Sequence, residues 1–217
     1  NVGAAVGIAL PGERDFDPER VIKNADVALH RAKKERNAGY RVFESAMDET
    51  MRARRELETD LRRALALREF SLVYQPQVNL KTRSVTGFEA LLRWQCPTRG
   101  AVSPLDFIPL AEETGNIQHL TRWALRGGIS LLSRLMASGA NLTLSVNVSV
   151  RDLADPELPG RVAGLLREFA VPAHALVLEV TESAAMSDPE AVQAVAGELS
   201  RICIALSIDD FGVGQSS

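Results

Sequence analysis

Ile204-Ala205-Leu206-Ser207-Ile208-Asp209-Asp210 is a short apolar run that ends on two adjacent carboxylates. The same grammar recurs upstream. Leu176-Val177-Leu178-Glu179-Val180 and Leu142-Thr143-Leu144-Ser145-Val146-Asn147-Val148 are apolar runs that carry an acid or an amide near their ends. Stretches of helical periodicity separate them, at about 189–201 and 158–169. Short runs alternating with helices predict a mostly parallel sheet, because parallel neighbours need a crossover that a helix supplies. Further back, 85–94 and 72–76 read as strands, and 105–114 and 117–137 as helices after a loop marked by proline and glycine. The sequence after Leu67 is therefore α/β, with its sheet either open or closed as a barrel.

The first third reads differently. Val2-Gly3-Ala4-Ala5-Val6-Gly7-Ile8-Ala9-Leu10 is a buried strand closed by Pro11-Gly12. Asp17-Pro18 offers an N-cap and a first-turn proline for a helix. Its apolar face is read from Val21, Ile22, Ala25, Ala28, Leu29 and Ala32, and Asn37-Ala38-Gly39 ends it. Tyr40-Arg41-Val42-Phe43 is a short strand. Residues 46–67 are rich in Met, Arg, Glu, Leu and Ala with almost no breakers, which predicts one long, charged helix joining two modules. The chain opens within a strand, so a longer protein is expected around it.

Composition narrows the function. Of 217 residues 46% are hydrophobic, so a packed core is affordable and general disorder is excluded. Lys and Arg total 25 against 28 Asp and Glu, a net charge of -3. That balance argues against coating a nucleic acid polymer or an anionic membrane. Two cysteines and three dispersed histidines exclude a disulfide framework and a zinc centre, and point to a reducing, cytoplasmic setting. No apolar run of about 18 residues and no signal peptide is visible, so no membrane contact is expected from this segment.

The chemistry lies in polar residues expected at the carboxyl ends of the strands: Glu89, Asn147, Glu179 with Glu182, and Asp209 with Asp210. In a parallel sheet or barrel the carboxyl ends of the strands converge on one face, where active sites are built. A carboxylate after an apolar run is costly unless it is hydrogen-bonded or holds a cation. Oxygen donors without Cys or clustered His favour Mg²⁺ or Mn²⁺. Asp209 and Asp210 would serve two neighbouring ions, an arrangement suited to in-line displacement at a phosphodiester. Arg93, four residues after Glu89, would neutralise a phosphate oxygen or simply pair with a neighbouring acid. Asp-Phe-Gly at 210–212 lacks the other elements of a kinase.

These residues fall in six ordered blocks. They are Tyr74-Gln75-Pro76, Phe88-Glu89-Ala90-Leu91-Leu92-Arg93-Trp94, 107–115 (Phe-Ile-Pro-Leu-Ala-Glu-Glu-Thr-Gly), Ser145-Val146-Asn147-Val148-Ser149, Glu179-Val180-Thr181-Glu182-Ser183 and Asp209-Asp210-Phe211-Gly212. In order and spacing the chain resembles the EAL domain of bacterial cyclic di-GMP phosphodiesterases. Val6-Gly7-Ile8-Ala9 and the helix Ala25-Asp26-Val27-Ala28-Leu29-His30-Arg31-Ala32-Lys33-Lys34 resemble the end of a GGDEF (diguanylate cyclase) domain, whose signature would lie upstream of Asn1.

The resemblance implies an α/β fold: a TIM-type (β/α) barrel of the EAL family, present only in part, with its first strand antiparallel to the rest. It assigns 1–45 to the GGDEF remnant, 46–67 to a linker helix and 68–217 to a truncated EAL domain. It implies hydrolysis of cyclic di-GMP to linear pGpG with metal-activated water, in a cytoplasmic homodimer whose parent is open to membrane tethering through upstream domains. Glu89, Asn147, Glu179 and Asp209 would ligate a first Mg²⁺ or Mn²⁺, and Asp209 with Asp210 a second. Glu89, Asp209 and Asp210 would be the catalytic acids, Gln75 and Arg93 substrate contacts, and Glu182 the anchor of the loop after Asp210. That loop carries Val213 and Gln215 where relatives carry Thr and Tyr, and Cys96 stands where a His often follows the Trp. A full barrel takes about 250 residues, so five of eight strands are expected here, with a Lys, a Glu and a Gln of the site beyond Ser217. The rival reading is a catalytically inactive cyclic di-GMP receptor or protein-interaction module. A metabolic barrel enzyme is a third, with no account of Asp-Asp-Phe-Gly.

Overall fold

The computed structural model describes residues 4–10, 17–34, 39–181 and 189–209. The chain divides into two compact units, Asn1–Thr59 and Asp60–Ser217.

In the first unit β1 (Val6–Ile8) and β2 (Tyr40–Val42) pair in parallel, and α1 (Pro18–Lys34) is the crossover between them. Asp17 starts the helix: its Oδ1 accepts the Glu19 N–H at 3.1 Å. Val27, Ala28 and Met47 form a small buried cluster with Phe43 and Met51 against it. Of the face read in the periodicity, Ala28 and Ala32 are buried and Val21, Ala25 and Leu29 half-buried, while Ile22 is 70% exposed and Val27, outside that face, is buried. Two strands span only about one 4.8 Å spacing, too narrow to cover the whole apolar stripe of a helix.

Helix α2 (Ser45–Ala64) is continuous over 20 residues, and the division between the units falls inside it. It stops short of Leu67. Arg68 adopts a left-handed conformation with φ 58°, and the Glu69 N–H reaches back to the Ala64 carbonyl at 3.1 Å. This closure satisfies carbonyls that the helix end would otherwise leave bare.

The second unit is a mixed six-stranded sheet. Along its path run β3 (Phe70–Val78), β4 (Val85–Cys96), β6 (Thr143–Asn147), β7 (Leu176–Thr181) and β8 (Ala205–Asp209), with β5 (Gly100–Val102) paired to β4. β3 is antiparallel to β4, as the resemblance implies, and the pairs from β4 through β8 are parallel. Helices α3 (Pro104–Thr114), α4 (Ile117–Ala137), α5 (Val150–Leu153), α6 (Leu158–Glu168) and α7 (Pro189–Arg201) fill the connections. α4, α6 and α7 each end as α2 does. Left-handed Gly139, Ala170 and Cys203 are followed by N–H bonds from Ala140 to Leu135, Val171 to Leu166 and Ile204 to Leu199.

Strand alternation sorts the sheet's side chains into two sets. Ala90, Leu144, Val146, Leu176, Leu178 and Val180 join a core that includes Ile129, Leu132, Leu153, Leu166 and Leu199 from the helices. Glu89, Ser145, Asn147, Glu179, Ser207 and Asp209 hold the opposite parity. An aromatic cluster anchors the β3–β4 edge: the Trp94 ring centroid lies 5.6 Å from both Phe70 and Phe107. The Trp94 indole N–H donates to Glu69 Oε2 at 2.9 Å. A cavity of about 240 Å³ opens between the sheet and helices α3 and α4, with Arg93, Glu112 and Asn147 in its wall. Burial pushes the Glu112 carboxyl above its usual range, the Asp152 charge adds to the effect, and Arg151 opposes it. Among the described residues no helix is long and apolar enough to cross a membrane.

Trp94→Ala should cost about 3–5 kcal/mol of unfolding free energy, because it opens a cavity and orphans Glu69. Urea unfolding followed by far-UV circular dichroism measures this. The site favours the protonated form of Glu112, so ionising this carboxyl as the pH rises through its raised pKa costs the folded state stability. Glu112→Gln should therefore raise the melting temperature at pH 7–8. The gain should vanish as the pH falls through the raised pKa to below the ordinary glutamate range, where folded and unfolded states are both protonated.

Candidate functional site

Four strands bring the candidate residues to one face. Asn147 ends β6 and Asp209 ends β8, and Glu179 is the fourth residue of β7. Glu89, expected at a strand end, lies inside β4 instead. β4 outruns its parallel neighbour because β3 pairs along nearly all of it and β5 pairs with Trp94–Cys96, while contact with β6 stops at Ala90. Glu89 thus marks the end of the parallel pairing, not of the strand. Register aligns the face: Gln75 stands opposite Glu89, Glu89 opposite Ser145, Asn147 opposite Glu179, and Thr181 opposite Asp209.

Glu89, Glu179 and Asp209 each bring a carboxylate oxygen within 4.8 Å of the other two. The Asn147 amide joins them, its Nδ2 donating to Glu89 Oε1 at 2.7 Å. Glu89 and Glu179 are half-buried and Asp209 is exposed. Burial pushes the Glu179 carboxyl above its usual range. A hydrogen bond from Ser145 pulls it back, the charges of Glu89 and Asp209 raise it further, and Gln77 lowers it. The donors fit a hard divalent cation. All are oxygens, and ligand oxygens about a small octahedral ion lie roughly 3–4 Å apart, close to the spread seen here.

Asn147 is held from behind. Asp152 is 3% exposed, and its Oδ2 accepts from Ser149 N at 2.8 Å, Ser149 Oγ at 2.7 Å and Thr121 Oγ1 at 2.8 Å. With the reciprocal bond from Asp152 N to Ser149 Oγ this is a capping box at the start of α5, tied to α4 through Thr121. The Val148 N–H bonds the Glu179 carbonyl at 2.8 Å, which extends the β6–β7 pairing past Asn147.

Gln75 is exposed on β3. Arg93 is half-buried at the cavity wall, with Nη1 donating to the Leu92 carbonyl at 2.9 Å. Asp210, Glu182 and the segment 211–217 lie outside the described residues. Three participants went unread in the sequence. Asp152 is the third residue of its capping box, a signal present in Ser149-Val150-Arg151-Asp152. Ser145 alternates with Asn147 and so shares its face. Gln77 alternates with Gln75, but nothing local marks it as reaching two strands across.

The chain matches the EAL domain family over residues 58–217. It is 40% identical over 219 residues to the bifunctional diguanylate cyclase/cyclic di-GMP phosphodiesterase MucR of Pseudomonas aeruginosa, covering 100% of this chain and 32% of that protein. To the cyclic di-GMP phosphodiesterase PdeR of Escherichia coli it is 35% identical over 213 residues, covering 98% of this chain and 32% of that protein. The solved PaMucR phosphodiesterase in complex with c-di-GMP superposes with a TM-score of 0.70 at 39% identity, covering 75% of this chain and 66% of that one. The chain spans about a quarter to a third of the length of the curated relatives it matches. With its acidic face in place and the match running over most of its length, the chain belongs to the EAL domain family.

Proposed function

We propose that this chain is part of a cyclic di-GMP phosphodiesterase that hydrolyses the cyclic dinucleotide to linear pGpG. The convergence of Glu89, Glu179 and Asp209 beside Asn147 carries the reading. Relatives named cyclic di-GMP phosphodiesterase, and a relative solved with c-di-GMP, support the substrate. Every acidic ligand that the resemblance places within this chain is present in the sequence, which favours hydrolysis over a receptor that only binds.

Glu89, Asn147, Glu179 and Asp209 would hold Mg²⁺ or Mn²⁺, with Asp209 and Asp210 facing a second ion. Cations there supply polarisation of water near neutral pH and offset charge on the phosphodiester. The chain's own residues do the rest. The three carboxylates fix the polar face on which the phosphate settles. Arg93 has five N–H donors, of which Leu92 takes one, leaving a fork for phosphate oxygens. Gln75, in register with Glu89, is the second substrate contact. The neighbouring cavity, with apolar walls and Glu112 and Asn147 among its polar groups, accommodates a flat ring. Glu182 would anchor the loop after Asp210.

The wider architecture is part of the proposal. Residues 1–45 are read as the end of a GGDEF domain, 46–67 as a linker helix and 68–217 as the first strands of a TIM-type barrel, working in a cytoplasmic homodimer. The βαβ unit around α1 and the match of this whole chain to about a third of MucR, which bears both activity names, support the first assignment.

In the full-length protein, Glu89→Ala or Asn147→Ala should abolish hydrolysis of cyclic di-GMP at saturating Mg²⁺. Turnover of the Glu89→Ala protein within a few-fold of wild type, by chromatography of the product, would overturn the ligand assignment. Arg93→Ala should raise the dissociation constant for cyclic di-GMP about 10- to 150-fold when calorimetry is run in Ca²⁺ to block turnover. An unchanged constant would remove Arg93 from the substrate contacts.

A further inference from the structure

One polar side chain outside the acidic cluster reaches into it. Gln77 lies on β3, and Ser145 and Glu179 lie on β6 and β7, with β4 between. Its Nε2 nevertheless stands 3.1 Å from Ser145 Oγ and 3.5 Å from Glu179 Oε1. β3 and β6 are two strand spacings apart, roughly 9–10 Å, so the amide must pass over β4. The β4 residue opposite Gln77 is Gly87. A Cβ at Gly87 would come 3.2 Å from Gln77 Oε1, 2.3 Å from Thr143 Oγ1 and 2.7 Å from the Thr143 carbonyl. The missing side chain opens the channel through which Gln77 crosses. Directly after Gln77 the β3–β4 register shifts, so the regular pairing that aims the side chain ends there.

Ser145 is 1% exposed; its hydroxyl oxygen accepts from Gln77, which leaves its hydrogen for Glu179, whose pKa a Ser145 hydrogen bond lowers. The chain of donors runs from the Gln77 amide to Ser145 Oγ, and from Ser145 to the Glu179 carboxylate. Glu179 needs such support because Glu89 and Asp209 crowd it with like charge. Unsupported, its side chain would swing away from them. We propose that Gln77, passed over Gly87 and relayed by Ser145, is the positioning residue that holds the Glu179 carboxylate in place for a divalent cation. The inference rests on the cation-site reading of Glu89, Glu179 and Asp209, and adds the partner that orients one of the three. Outer partners of ligating carboxylates commonly set metal affinity by one to two orders of magnitude.

The test is Mn²⁺ calorimetry without nucleotide on the full-length protein, with thermal melting of the metal-free protein alongside. Gln77→Leu keeps most of the bulk and removes the donors; Ser145→Ala removes the relay. Each should raise the Mn²⁺ dissociation constant about tenfold, the double variant should be no worse than either single one, and metal-free melting should shift little. The inference fails if both variants bind Mn²⁺ within twofold of wild type while Glu179→Ala loses it, a result that leaves the cation site standing. It fails also if lost affinity tracks an equal loss of metal-free stability, since the bonds would then only hold up the fold. If wild type and Glu179→Ala bind Mn²⁺ alike, the cation reading itself falls and takes this inference with it.

Discussion

Mutual repulsion of the carboxylates gathered on one face of the sheet is the constraint that the surrounding structure answers. Two full charges no more than 4.8 Å apart repel by roughly 3 kcal/mol or more at an effective dielectric of about 20. That is comparable to what burying one large apolar side chain contributes. The opposite face meets the cost with Leu144, Val146, Leu176, Leu178 and Val180, each at most 2% exposed beneath the helices. Alternation makes the two tasks compatible, because every residue added to the core face also places its neighbour on the polar face. Slipping one strand by a single residue would put carboxylates under the helices and leucines at the site.

Much of this was legible in the sequence. The helices read at about 117–137 and 189–201 are found there, since long periodic runs with clear ends carry their own signal. The gathering of Glu89, Asn147, Glu179 and Asp209 followed from where each stands in its apolar run. Other features depend on partners distant in sequence. β5 exists because Gly100–Val102 pairs back on Trp94–Cys96, and neither stretch announces that pairing. Glu89 moved from strand end to strand interior for the same reason. In α1 the period found most of the covered face, but Val27 is buried outside it because Met47 and Phe43, distant in sequence, pack there, while Ile22 is left exposed.

The buried polar residues divide between the two halves of the site. Thr121, Ser149 and Asp152 clamp the turn that carries Asn147, while Ser145 stands behind Glu179. Asp152 is buried, and three donors from Ser149 and Thr121 hold it. Such an arrangement is expensive to disturb, because a buried carboxylate left short of donors costs more than the bonds themselves contribute.

The left-handed closures after α2, α4, α6 and α7 have a bearing on how the chain assembles. Each links residues only five apart, so it can form as soon as its helix does. The sheet pairings they prepare are far less local: Glu89 meets Ser145 across 56 positions of chain. Contacts of that separation are slow to find, since loop entropy is lost before they reward it. A corner already bent at Arg68, Gly139, Ala170 and Cys203 sends each following strand off in its final direction. The search for strand partners is thereby reduced to docking pre-turned helix–strand corners, one after another, as they emerge.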